Sequence, residues 1–153
     1  PSGYNVPPDV TAGDACNVIS GQGSAFRGPC DSPHRSWSFR STMESYRNVM
    51  VANGDSGKKL WPTEFGWASV DGLGASPAHG YEYAGDNTEG EQAEYIVRAY
   101  QMARNWGWVG PMFLWNLNFC PVSGAGNEKA AFGVVRGDWS HRPAYDALAG
   151  MGK

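Results

Sequence analysis

The sequence predicts an α/β protein with parallel strands. Three observations point there. Amphipathic helical stripes alternate along the chain with short apolar runs. The runs are too short for helices and are bounded by glycine and proline. The long loops follow the runs, whereas short connections precede them.

Residues 1–36 contain many turn formers and no sustained apolar period, which predicts a long loop. Over 37–54, Phe39, Met43, Tyr46 and Met50 fall on one helical face, and Gly54 supplies the stop. After the turn "NGDSG", residues 58–65 read as a short aromatic strand. Pro62 fits it poorly, because proline removes a ladder donor. A glycine-rich loop covers 66–87. Thr88 with Glu91 then forms a capping box, and Glu89 and Glu94 are expected to place negative charge in the first turn of a helix over 88–106. Its predicted buried stripe is Ala93, Ile96, Val97, Tyr100 and Ala103, and Gly107 can close it. A second apolar strand is expected over 109–116, then a third loop, then a final helix over 142–151 opened by Pro143.

The 153 residues suffice for one domain, and all of 1–153 is read as belonging to one. Hydrophobic residues at 41% and a net charge of −3 exclude a disordered tail and a basic nucleic-acid face. No apolar stretch approaches the roughly 20 residues of a membrane helix, so neither nucleic acid nor membrane is an expected partner. Seven tryptophans are many for this length. Each is either core or a platform for a flat ligand face, and sugars suit the latter in the absence of basic charge. Cys16 and Cys30 bracket a loop, as a disulfide or as two buried thiols, and Cys120 is left over. The chain opens on Pro1 and Ser2, as a processed chain or a piece of a longer one does.

Within "KKLWPTEFGWAS" a single carboxylate, Glu64, stands in an aromatic run. If Glu64 points inward at the end of its strand, alternation places Leu60 and Pro62 on its side and turns Trp61, Thr63 and Phe65 toward the helices. Trp115, near the end of the next strand, can then project into the same mouth. In a (β/α) barrel that end builds the active face. A carboxylate beside an indole suits glycoside chemistry, where the acid meets an oxocarbenium-like centre and the ring carries the sugar. A purely structural carboxylate there would instead need a basic partner or a raised pKa.

"WPTEFGW", the capped helix, "GPMFLWNLNF" and "GVVRGDWSHRPAYDAL" together resemble the last part of the clan A retaining glycoside hydrolases. The resemblance implies the C-terminal part of a (β/α)8 TIM barrel, about strands 7 and 8 with flanking helices, incomplete as a single chain. Residues 1–36 would be the loop after strand 6, similar to the family through "PSGYNVPPD"; 58–65 would be strand 7 and 109–116 strand 8. It implies Glu64 as catalytic nucleophile and Trp115 as the sugar platform beside the scissile bond. Trp67 and Asn118, just beyond the strand ends, are further candidate substrate contacts. A β-linked polysaccharide such as a β-glucan is the expected substrate, with no metal or cofactor, and the protein is expected outside the cell.

The chain departs from the family in lacking an Asn-Glu pair at a strand end. Its one such dipeptide, Asn127-Glu128, lies in a loop. The proton donor of the retaining mechanism is therefore expected from the N-terminal remainder of the barrel or from a second copy. The isolated chain should hydrolyse poorly for want of general-acid help worth roughly 10²-fold to 10⁴-fold. A non-catalytic carbohydrate-binding protein and a self-associating partial barrel are the alternatives. Other motifs fail: "GDSGKK" has Ala52 and Lys59 where a phosphate loop needs Gly and Ser or Thr. Ser24 lacks the trailing glycine of a nucleophile elbow. "SGQGSAFRG" has no strand before it for a dinucleotide loop, and His34, His79 and His141 lack metal-ligand spacing.

Overall fold

Phe39–Ala52 (α1) and Glu89–Trp106 (α2) form where the stripes predict helices. The computed structural model describes residues 5–16 and 37–152. Both helices are capped locally. Ser38 Oγ accepts from the Ser41 amide of α1, and Thr88 and Glu91 make the reciprocal capping box of α2. Gly107 ends α2 in the left-handed region at φ 67°, which glycine adopts without Cβ strain. The acids in the first turn of α2 are Glu89 and Glu91; Glu94 lies a turn later and pairs with Arg98 at 2.9 Å.

Pro143–Ala149 is a short C-terminal helix that begins on its proline and packs on α2. The loops hold three elements that the periodicity does not predict: a 3₁₀ turn at Glu82–Gly85 and single-turn helices at Cys120–Ser123 and Glu128–Ala131. In chain order the last two are α3 and α4, and Pro143–Ala149 is α5.

The two expected strands lie side by side and parallel, as bridges and not as a continuous ladder. Leu60 pairs with Val109 and Phe65 with Leu114, in one register. Between the bridges Pro62 has no N–H to give to Gly110, and its carbonyl accepts from Phe113 at 3.0 Å, one residue out of that register. This break also upsets the expected alternation. Phe65 and Leu60 pack toward the helices, while Trp61, Thr63 and Glu64 are exposed. Among the described residues the two segments do not close into a barrel.

Behind the pair, Phe39 and Met43 of α1, Ile96 and Ala99 of α2, and Ala144 of α5 meet Phe65 and Trp67 in the main core. Phe39 lies 6.0 Å from Phe65 and 5.8 Å from Trp67, and Tyr100 meets Phe65 edge-on at 4.9 Å. Burial of each such ring is worth about 1.5–3 kcal/mol. Gln92, an unpredicted polar member of the buried face of α2, donates from Nε2 to the carbonyls of Trp67 at 2.8 Å and Ala131 at 3.1 Å. A smaller cluster of Ala68, Tyr83, Ala84, Ala131 and Phe132 sits beyond the strand ends and packs the loops that follow them. Residues 5–16 run across the same end. Val6 is buried, its carbonyl receives the Trp67 indole N–H at 2.9 Å, and Asn5 donates to Asp86 at 3.0 Å.

Candidate functional site

The Phe65–Leu114 bridge places the residues that follow each strand next to one another. Phe65 donates to the Phe113 carbonyl at 3.1 Å, and the Trp115 amide donates back to the Phe65 carbonyl at 2.8 Å. Gly66 then passes so close to the Trp115 carbonyl oxygen that a Cβ there would overlap it. Glu64 and Trp115 thus flank one junction. The Trp115–Asn116 peptide is cis.

Glu64 is exposed, and no hydrogen bond or ion pair holds its carboxylate among the described residues. It borders an open cavity of about 500 Å³ between α1 and the first segment, shared with Met43, Tyr46, Leu60, Trp61 and Thr63. Among the described residues no basic partner of the kind a structural role would need reaches it. Trp61 and Tyr46 bring ring surface to this cavity at 58% and 64% exposure. The helical stripe contained Tyr46; strand alternation had turned Trp61 the other way.

Trp115 is half-buried, leans on Phe119 at a centroid distance of 5.1 Å and packs against the loop cluster. It does not line the Glu64 cavity. Trp67 is 0% exposed, with its indole N–H bound to Val6, so it offers no face to a ligand in this structure. Asn118 turns its amide to its own loop, donating to the Arg136 carbonyl at 2.9 Å and accepting from the Cys120 amide at 3.1 Å. Asn127 caps α4 through a bond from the Lys129 amide, and Glu128 receives the Tyr83 hydroxyl at 3.4 Å. That dipeptide stays off the strand ends.

What fixes the junction from behind is Arg142, a residue sequence reasoning passed over. It is 0% exposed and bonds Glu89 at 2.8 Å through Nε. Its terminal nitrogens donate to the Gly133 and Ala131 carbonyls at 2.8 and 3.3 Å, and to those of Ser69 and Asp71 at 2.9 and 3.2 Å. One guanidinium thereby ties the loop after the first segment to the loop after the second. Burial pushes its pKa down, against the hydrogen bond and charge of Glu89. Glu89 also takes Arg136 at 2.7 Å, so it serves an ion cluster as well as the helix dipole.

A larger cavity of about 660 Å³ lies among the loops at 70–88. Its polar groups are engaged locally: Asp71 receives the Glu89 amide, Asp86 the Asn5 amide group, and Asn87 donates to Ala68. Among the described residues no group of three histidines, cysteines or carboxylates is placed to hold a metal ion. No helix there is long and apolar enough to cross a membrane. Cys16 is in a disulfide and Cys120 is a free thiol; Cys30 lies outside the described residues, as does the loop at 17–36.

No protein-family model matches the chain. No curated protein matches it by sequence. Among solved structures it is similar to a family 39 glycoside hydrolase from the gut symbiont Bacteroides cellulosilyticus WH2, with 23% identity and a TM-score of 0.53. The match covers 76% of this chain and 21% of that one, so the chain spans about a fifth of the enzyme it resembles. At that identity the likeness speaks to fold.

Proposed function

We propose that this chain is a segment of a retaining glycoside hydrolase acting on a β-linked polysaccharide, with Glu64 as its nucleophile. The observation that carries the reading is the carboxylate of Glu64: unpaired among the described residues, exposed, at the end of a parallel pair and open to a cavity with aromatic walls. The resemblance in fold to a glycoside hydrolase supports it. In this mechanism Glu64 attacks the anomeric carbon as the bond to the leaving oxygen breaks, giving a glycosyl ester. Water then cleaves that ester with retention. The acid that protonates the leaving oxygen comes from polypeptide beyond this chain. Trp115 carries the sugar ring at the strand junction. Trp67 supports the site from the core, and Asn118 orders the loop beside it. The Cys16 disulfide supports a place in an oxidising compartment outside the cytosol.

A glycoside with an excellent leaving group removes the need for the acid, which makes Glu64 testable in isolation. Incubation with a 2,4-dinitrophenyl 2-deoxy-2-fluoro-β-glucoside is expected to leave one glycosyl group on Glu64, found by peptide mass mapping and lost in Glu64→Gln. With an unactivated glycoside the chain alone should turn over at least about 10²-fold more slowly than with an acid supplied. Labelling elsewhere, or none, removes the nucleophile assignment. Among the described residues Glu64 is the only carboxylate bordering the cavity, and this favours a second reading in which the chain binds sugar without cleaving it. Saturable oligosaccharide binding that survives Glu64→Gln, with no adduct in either protein, selects that reading.

A further inference from the structure

One aromatic ring is held in a conformation that costs the fold and adds little to its core. Trp139 has φ 67°, the one positive value outside glycine among the described residues. A side chain there crowds its Cβ against the backbone, whereas glycine adopts the conformation freely. Burial offsets little of that strain. The residue is 61% exposed, and among the described residues its indole N–H makes no hydrogen bond and its ring meets no other ring.

The turn beneath the ring is nonetheless fixed. Val135 pairs with His141 in an antiparallel bridge, and the Arg136 amide donates to the Ser140 carbonyl at 2.9 Å. The Trp139 amide closes the turn on the Arg136 carbonyl at 2.9 Å, and Asp138 Oδ1 accepts from the amide and the hydroxyl of Ser140 at 3.0 and 2.7 Å. Bracing also comes from outside the hairpin. The Val134 and Val135 amides donate to the Leu117 carbonyl at 3.0 and 3.2 Å, two residues beyond Trp115. The Arg136 guanidinium reaches the Gly72 carbonyl at 3.3 Å and Glu89 at 2.7 Å. Trp139 therefore stands on a hairpin tied to both loops that follow the parallel pair, set before any ligand arrives.

Its neighbours decide what the ring can take. Residues 137–141 are all exposed, and besides Trp139 they are glycine, aspartate, serine and histidine. No continuous apolar patch of the kind a protein partner covers is formed by this turn. Hydrogen bonds from Ser140 hold the Asp138 carboxyl below the usual carboxylate range, and Arg136 is engaged by Glu89. A phosphate-bearing ligand would meet that anion. A neutral ligand with one flat apolar face and hydroxyls around its edge suits both groups, the face against the indole and a hydroxyl donating to Asp138. We infer that Trp139 is a platform for one sugar residue of a β-linked oligosaccharide, outside the cleavage site and separate from Trp115. The inference rests on the proposed glycan substrate but on none of the residues assigned to the chemistry.

The test is ¹⁹F NMR of the chain labelled with 5-fluorotryptophan, titrated with cellohexaose and, separately, with laminarihexaose. The Trp139 resonance is assigned by its loss in Trp139→Tyr. A saturable shift of that resonance is expected with one of the two sugars. By calorimetry Trp139→Gly should bind one sugar fewer per chain, with a thermal midpoint equal to or above that of the parent because glycine relaxes the turn. Trp139→Tyr keeps a ring and should keep the stoichiometry. A lowered midpoint in Trp139→Gly would make the ring a structural element and overturn the inference, as would an unchanged stoichiometry or a Trp139 resonance unmoved by both sugars at millimolar concentration. A shifted Trp139 in a chain whose Glu64 the fluoroglucoside leaves unlabelled would uphold this site and remove the nucleophile; the reverse pattern would remove this site alone.

Discussion

Replacing Glu89 with glutamine is expected to destabilise the protein by about 3 kcal/mol, although Glu89 lies on a helix away from the proposed chemistry. The magnitude follows from its partners. Arg142 is fully buried and Glu89 is 14% exposed in its side chain, with a contact of 2.8 Å, and Arg136 adds a second cation at 2.7 Å. Removing one partner of a buried pair costs about 3–5 kcal/mol, because the other charge is left uncompensated. The lower end applies, since glutamine keeps an acceptor for one guanidinium. In a chain of this size about 3 kcal/mol corresponds to a fall in Tm of roughly 6–12 °C. Urea titration followed by tryptophan fluorescence measures it, with the slope unchanged. Arg142→Met sharpens the reasoning. Buried ion pairs can often be replaced by apolar residues without loss, but here the carbonyls of Ser69, Asp71 and Gly133 would lose their donor, while that of Ala131 keeps Gln92 and the Ser69 amide. An unsatisfied buried acceptor costs about 1–3 kcal/mol, so Arg142→Met should lose more than Glu89→Gln. A methionine variant as stable as the parent would refute the account of Arg142 as the tie between the two loops.

Two glycines separate rigid from yielding contacts. Gly66→Ala drives a methyl into the Trp115 carbonyl and should cost about 1–3 kcal/mol by urea titration, as overpacking does. Gly110→Ala meets the exposed Trp61 ring, which can swing into solvent, and should cost less than about 1 kcal/mol. Tyr95 gives a pH signature: burial first, and the nearby Glu91 next, push its pKa from 10.0 to about 12. The unfolded chain therefore ionises this phenol first, and the stability present below pH 10 is progressively lost up to about pH 12. Thermal melts of the parent and Tyr95→Phe between pH 8 and 12 should show that this component of the decline is missing from the variant.

The sequence by itself determined whatever is settled within a few residues. The Thr88 box, the closing Gly107, the opening Pro143 and the stripes through Phe39 and Ile96 are local devices, and each helix stands where they put it. Pro62 also announced itself as a fault in its strand, though the register on either side of it depended on where the second segment came to lie. Only the tertiary structure decided which carboxylate was paired and which was free. Glu89 and Glu64 are both glutamates; Arg142 and Arg136, distant in the chain, neutralise the first, and among the described residues no cation reaches the second. Trp67 and Trp61 divided in the same way, one under Val6 in the core and the other in the open. Burial and charge pairing are sums over neighbours brought together by folding, and spacing along the chain does not encode them.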